Sequence, residues 1–259
     1  MSLMRTPLLL AAVLTALAST NASAGWLGND CDFIANRSAR VAASGISHVT
    51  VVGRAGSLKI EGRPGAGEIN ASGPACASTK SLLDEVKLTA TRSGSELRLE
   101  VEIPDDLLMQ SATLDLTVTI PRGLATTVRD GSGEATISGT GDLDVTDGSG
   151  ALTVRDVVGS ATIRDGSGSL EVENVAGNVA VTDGSGSINI RKIGGSVDIP
   201  SDGSGSVDIQ DVRQNVHVGM KGSGSVGVVD VRGDLSVEHA RRGAVAYDRI
   251  GGRISVPSR

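Results

Sequence analysis

Aromatic side chains are nearly missing from this chain. Trp26, Phe33 and Tyr247 are the only three among 259 residues, too few for the core of an ordinary globular domain. Net positive charge is missing too. The formal charge is −6, so there is no basic field to draw in nucleic acid. Neither an H-E-x-x-H motif nor a G-x-S-x-G nucleophile elbow occurs, which removes the commonest zinc-hydrolase and serine-hydrolase signatures. Histidine is scattered as His48, His217 and His239. Cysteine is limited to Cys31 and Cys76, with no neighbouring His to complete a metal site. In an exported chain such a pair reads as a disulfide. Closing its loop would stabilise the fold by roughly 3–4 kcal/mol on the chain-entropy model. Two buried free thiols are the alternative.

The one long apolar run, Leu8 to Leu17, follows Arg5 and precedes Ala22-Ser23-Ala24. It is shorter than the about 20 residues that a membrane-spanning helix needs. A positive residue, a short apolar run and a small-x-small site make a secretory signal peptide over 1–24, with the mature chain beginning near Gly25. Neither cysteine follows the small residues directly, which argues against a lipoprotein. No translocator barrel, C-terminal anchor or sorting motif is evident. The expectation is an exported protein, periplasmic rather than surface-bound or secreted, monomeric, with no transmembrane span in the mature chain.

Glycine is what the chain has in abundance, with 35 residues, alongside many Val, Ile and Leu. The apolar residues are periodic, unlike those of a disordered low-complexity chain. DGSG recurs at Asp130, Asp147, Asp165, Asp183 and Asp202, and returns as KGSG at Lys221. Cut at these points, the rows align. In DGSGSLEVENVAGNVAVT the apolar columns are Leu170, Val172, Val175, Val179 and Val181. The row from Asp202 places Val207, Ile209, Val212, Val216 and Val218 in the same columns, and the row from Lys221 places Val226, Val228, Val231, Leu235 and Val237 there. Apolar residues at i and i+2 with polar residues between are strand periodicity, so each row holds two short strands. His217, between inward Val216 and Val218, then faces solvent. One row cannot offset the entropy of fixing its own backbone, so rows must stack and share their apolar columns. The fold class is all-β: a parallel β-solenoid, or β-helix, of about 18–19-residue coils with a narrow Val/Ile/Leu core and a flattened section. Residues 25–43 are read as an N-terminal cap, with Trp26 and Phe33 over the apolar end. Residues 44–129 are read as irregular opening coils of the same solenoid, and 130–259 as the regular repeat.

The strand LTVTIPRG leading into tandem DGSGxLxVxxVxGxVxV rows resembles a family of exported bacterial β-strand-repeat proteins of unknown function. That family carries the provisional label adhesin, auto-transporter adhesin head-like. The resemblance covers roughly 44–256. It implies the solenoid fold, and it brings no catalytic residues with it.

Two readings of the DGSG column remain. In the backbone reading, glycine supplies positive φ at a sharp corner, Asp closes an Asx-turn and Ser donates to the next coil. Asp130, Asp147, Asp165, Asp183, Asp202 and Lys221 then form a structural turn ladder. In the cation reading the stacked carboxylates bind Ca²⁺, because like charges on one corner repel unless solvated or bridged. Calcium β-roll units, however, place Asp after the glycines at a shorter period. No cofactor is otherwise indicated. A phosphate loop is excluded, because a strand and not a helix follows each DGSG.

The C-terminal stretch reverses the charge of the repeat. Arg241, Arg242, Arg249 and Arg253 crowd the last row. There they either block edge-to-edge docking of another copy, helped by Pro257, or dock an acidic partner. The functional expectation is a non-catalytic scaffold or adhesin-like binding protein of the cell envelope whose partner the residues do not name. The alternatives are a polysaccharide-active β-helix enzyme and a cation-binding repeat module.

Overall fold

The computed structural model describes residues 31–105, 111–239 and 245–257. The signal segment 1–24, Trp26, Arg241 and Arg242 lie outside the described residues. The opening elements are β1 (Phe33–Ala42), β2 (His48–Val52), β3 (Leu58–Arg63), β4 (Glu68–Ala77), α1 (Lys80–Glu85), β5 (Lys87–Ser93), β6 (Glu96–Glu102), β7 (Ala112–Leu114), β8 (Leu116–Pro121), β9 (Ala125–Ser132) and β10 (Ala135–Ser138). The repeat continues as β11 (Leu143–Val157), β12 (Ala161–Asp165), β13 (Gly168–Val175), β14 (Val179–Asp183), β15 (Gly186–Ile193), β16 (Val197–Ser204), β17 (Val207–Val212), β18 (Val216–Ser223), β19 (Val226–Val231), β20 (Leu235–His239), β21 (Val245–Ile250) and β22 (Ile254–Ser255).

These strands form a parallel β-solenoid of about seven stacked coils. One sheet runs β8, β3, β10, the second half of β11, β13, β15, β17, β19 and β21 in parallel register. The other runs β6, β2, β9, the first half of β11, β12, β14, β16, β18, β20 and β22. The alternation along each strand places one side-chain set between the sheets. Ile190, Ile209 and Val228 occupy one inward column, paired coil to coil and almost fully buried. Val181, Val218 and Val237 are buried in the facing sheet. One continuous core of Val, Ile, Leu and Ala results.

The opening segment departs from serial stacking. The coil built from β2 and β3 lies between β6 and β9 on one sheet and between β8 and β10 on the other. A coil early in the chain is thus inserted between two later ones. β4 and β5 are antiparallel: β4 pairs with β1, β7 and β8, and β5 with β6 across Gly94 at φ 61°. Strand β1 is the edge of its sheet, and its Phe33 is exposed. The single turn of α1 packs against β4 and β1 and buries Leu82 and Leu83. Thr79 caps that turn by accepting from the Leu82 N–H. Arg37 of β1 donates to the carbonyls of Leu83 (2.6 Å) and Val86 (2.7 Å) at its end. Cys31 and Cys76 form a disulfide that ties the chain just before β1 to β4. Among the described residues no helix is long and apolar enough to cross a membrane.

Candidate functional site

The DGSG corner is built differently from a tight turn. β11 runs unbroken through it from one sheet to the other, and coil-to-coil pairing continues across it, with Ser149 opposite Ser132 and Gly150 opposite Gly168. The corner is a bend in extended backbone. The second glycine of each motif has positive φ, from 108° at Gly224 to 144° at Gly186. The first, as at Gly184, has no room for a Cβ, which would overlap the carbonyl oxygen of Gly166 in the preceding coil.

The Asp side chains correct the sequence reading most. The turn-ladder reading has each Asp closing a turn onto nearby backbone N–H groups, and the stack does more than that: the side chains point into the solenoid. Val179, Val181 and Asp183 continue one alternation, so Asp183 faces inward like the two valines. The alternation was readable in the sequence, but a charged residue beside glycine suggests a surface turn. Asp130, Asp147, Asp165, Asp183 and Asp202 stack in direct register and are 2–9 % exposed. Where a row has one extra residue, as at Pro200, the register shifts between Ala180 and Thr182 and is recovered at Asp202.

Lys221 ends the file. It pairs with Asp202 across the strands, and its Nζ lies 2.6 Å from the Asp202 carboxylate with both side chains wholly buried. It also donates to the carbonyls of Gly205 and Ser223, each at 2.7 Å. At the other end Asp130 lies over Gly53, where a Cβ would overlap its carboxylate. The carboxylates of Asp147, Asp165, Asp183 and Asp202, and one oxygen of Asp130, find no donor in hydrogen-bond geometry, although Asp202 has its ion pair with Lys221. The N–H groups of Gly166 and Ser167 approach Asp165, and those of Gly184 and Ser185 approach Asp183, which offsets only part of the cost. Burial first, and the neighbouring carboxylate second, push Asp130, Asp165 and Asp183 up to about 6. Burial also raises Asp147. Two ionised neighbours at the strand spacing of about 4.8 Å would repel by roughly 3–4 kcal/mol at an effective dielectric near 20.

Two further columns carry no single-residue signal in the sequence. At the corner after the second strand, Asp156, Asn174, Lys192, Asp211, Asp230 and Arg249 all have φ between 51° and 59°. This left-handed residue turns the chain so that the next apolar residue, such as Val175, faces in although it lies three places after Val172. At the opposite corner a ladder runs from coil to coil. The Ser160 N–H donates to Asp142 Oδ1 (2.9 Å), Asn178 to Ser160 Oγ (3.1 Å), Ser196 to Asn178 Oδ1 (2.9 Å), Asn215 to Ser196 Oγ (3.3 Å), Asp234 to Asn215 Oδ1 (2.9 Å) and Arg253 to Asp234 Oδ1 (2.8 Å).

That ladder absorbs one of the C-terminal arginines, because the Arg253 guanidinium also lies 3.3 Å from Asp234. Arg249 pairs with Asp230 and Asp248. Both arginines reach back to carboxylates of the neighbouring coil while their side chains stay mostly exposed. His217 faces outward as expected, 3.6 Å from Asp198 and 3.4 Å from Glu238. On the other sheet Glu171 and Glu173 lie among Arg155, Arg191 and Lys192. Hydrogen bonds from Arg191 and then Lys192 hold Glu173 down to about 2.

No family model matches this chain, and no curated protein matches it in sequence. Among solved structures it is similar to a protein from Clostridium sporogenes provisionally described as a cell adhesion protein, at 10% identity and TM-score 0.33, over 85% of this chain and 98% of that one. It is also similar to a protein from Parabacteroides distasonis provisionally described as lipid-binding, at 13% identity and TM-score 0.32, over 85% and 93%. Likenesses this distant carry nothing about function.

Proposed function

We propose that this protein is an exported, non-catalytic scaffold that binds a component of the cell envelope through the flat outer faces of its two sheets. The observation that carries the reading is the register. Outward side chains repeat once per coil in straight rows, so each sheet offers a regular polar grid. Thr117, Lys59, Thr136, Thr153 and Glu171 form one such row. Thr50, Thr127, Asp144 and Thr162 form one on the other face. The connections between regular coils are a few residues long, too short to wall a cleft around a polysaccharide. A rigid grid suits repetitive or planar partners, since little side-chain entropy is lost on docking.

The test is affinity capture from a cell-envelope extract with the disulfide intact. The native chain is compared with Thr136→Arg/Thr153→Arg on one face and Thr127→Arg/Thr162→Arg on the other. Loss of a captured partner with one pair and retention with the other supports a face-specific scaffold. Equal capture by all three, or release of reducing ends from polysaccharide by the native chain, refutes it.

A further inference from the structure

The carboxylate file is out of electrical balance. Five Asp side chains are buried in line, and the one basic side chain buried among the described residues, Lys221, faces the last of them. Asp130, Asp147, Asp165 and Asp183 have no such countercharge. At its one balanced position the chain shows how a cation is held. Lys221 Nζ sits among three oxygens: Asp202 at 2.6 Å, the Gly205 carbonyl at 2.7 Å and the Ser223 carbonyl at 2.7 Å. Both carbonyls belong to the corner motif. Gly205 closes the DGSG of one coil, and Ser223 is the serine of the next.

That oxygen set repeats wherever the coils repeat. The bond from Gly205 N–H to the Ser223 carbonyl (3.0 Å) recurs from Gly168 to Ser185 (2.9 Å), from Gly150 to Ser167 (3.0 Å) and from Gly133 to Ser149 (3.1 Å). Asp165, Asp147 and Asp130 stand beside these pairs as Asp202 stands beside the first. Asp183, with Gly186 and Ser204, completes the series between them. Each interval below Lys221 therefore has the carboxylate and the two carbonyls of its ammonium site, but no ammonium.

We propose that each of the four intervals from Asp130 to Asp183 binds one monovalent inorganic cation of ammonium size, such as potassium, in the place that Lys221 Nζ fills above Asp202. Charge and distance select the class. One carboxylate enters per coil, and a single positive charge balances it, as it does at Asp202. Calcium takes six to eight oxygens at about 2.3–2.6 Å, and magnesium an octahedron at about 2.0–2.1 Å. The Lys221 set is smaller in number and wider in reach. No three His, Cys, Asp or Glu side chains converge among the described residues, which leaves nothing for a softer transition metal. The file is closed to solvent, so the ions enter as the coils stack and stabilise only the folded chain.

The test therefore starts from unfolded protein. The chain, disulfide intact, is unfolded in urea and refolded at pH 8 in potassium chloride or in tetramethylammonium chloride of equal ionic strength. Tm is measured, and potassium is counted by elemental mass spectrometry after desalting into tetramethylammonium buffer. The expected result is a Tm higher in potassium by about 5 °C or more. Retained potassium should approach one ion per interval. Asp165→Asn should remove one ion. Lys221→Met should add one and should refold in potassium better than in tetramethylammonium, which keeps the test open if Asp165→Asn does not fold. Equal Tm in both salts with potassium at background would overturn the proposal. So would a Tm that responds to millimolar calcium and not to potassium. Retained potassium that neither substitution changes would mark surface binding and would also overturn it.

Discussion

Gly186 is glycine for two reasons. Its φ of 144° is closed to side chains, and a Cβ would overlap the Gly168 carbonyl oxygen of the preceding coil. Gly186→Val should leave no folded protein by circular dichroism, whereas Ser185→Ala, at the neighbouring position, should shift stability by no more than about 1 kcal/mol. Ile209 makes the complementary point about register. It is 2 % exposed, between Ile190 and Val228, while Asp208 beside it is exposed. Ile209→Asp would bury an unpaired charge and should cost upward of about 4 kcal/mol in urea unfolding. Asp208→Asn should stay within about 0.5 kcal/mol. Equal costs for the two would mean that the strand faces the other way.

Among the elements, the corners differ more than the strands do. The left-handed corner accepts Asp or Asn in four coils and Lys192 and Arg249 in the other two. Asp and Asn tolerate this region through local hydrogen bonds, and other side chains pay for it. Arg249 meets both oxygens of Asp230 through two guanidinium nitrogens, a forked geometry that Lys192 does not have. Lys192 has an exposed contact with Glu173 at 2.8 Å, and exposed pairs contribute little. Lys192→Asn should therefore raise stability by about 0.5–1 kcal/mol. An unchanged or lower urea midpoint would show that the ion network around Glu173 outweighs the backbone term. At the opposite corner Asn178 both accepts from the Ser196 N–H and donates its own N–H to Ser160. Asn178→Ala removes the accepting side chain and should cost about 1 kcal/mol, with faster amide exchange at Ser196.

For the molecule as a whole, the buried file makes stability depend on pH in an unusual direction. Asp130, Asp165 and Asp183 titrate near 6 when folded and near the ordinary 3.8 when unfolded. Between those values the folded chain holds more protons, so the contribution is full below about pH 4 and is lost as pH rises through about 6. The half-buried carboxylates Glu61, Glu100, Glu171, Glu173, Asp230 and Asp234 act in the opposite sense. Hydrogen bonds from basic neighbours or, for Asp234, first from the Arg253 N–H hold them below the ordinary range. Their contribution disappears as pH falls below about 4. Tm measured across pH in tetramethylammonium buffer should therefore peak near about pH 4–5 and decline toward pH 7. A Tm that climbs steadily from pH 4 to pH 7 would show that the file carries no protons.

The coil length, the two strands per coil and the inward valine columns were legible from residue order alone, because a period of two and a period of 18–19 are local properties of the chain. The same alternation runs through Asp183 after Val179 and Val181, so even the inward carboxylates were written there. What hid them was the energetic presumption that an unpaired charge stays in water, a presumption that holds for one residue and fails for a column whose backbone register leaves its side chains nowhere else to point. The insertion of the β2–β3 coil between later coils, the antiparallel β4 and β5, the burial of Leu82 and Leu83 beside an exposed Phe33, and the closing of the file by Lys221 against Asp202 could be settled only in three dimensions. Each depends on which edge a strand meets. A strand's hydrogen-bonding edges look alike from sequence, and only the complete stack determines which neighbour satisfies them.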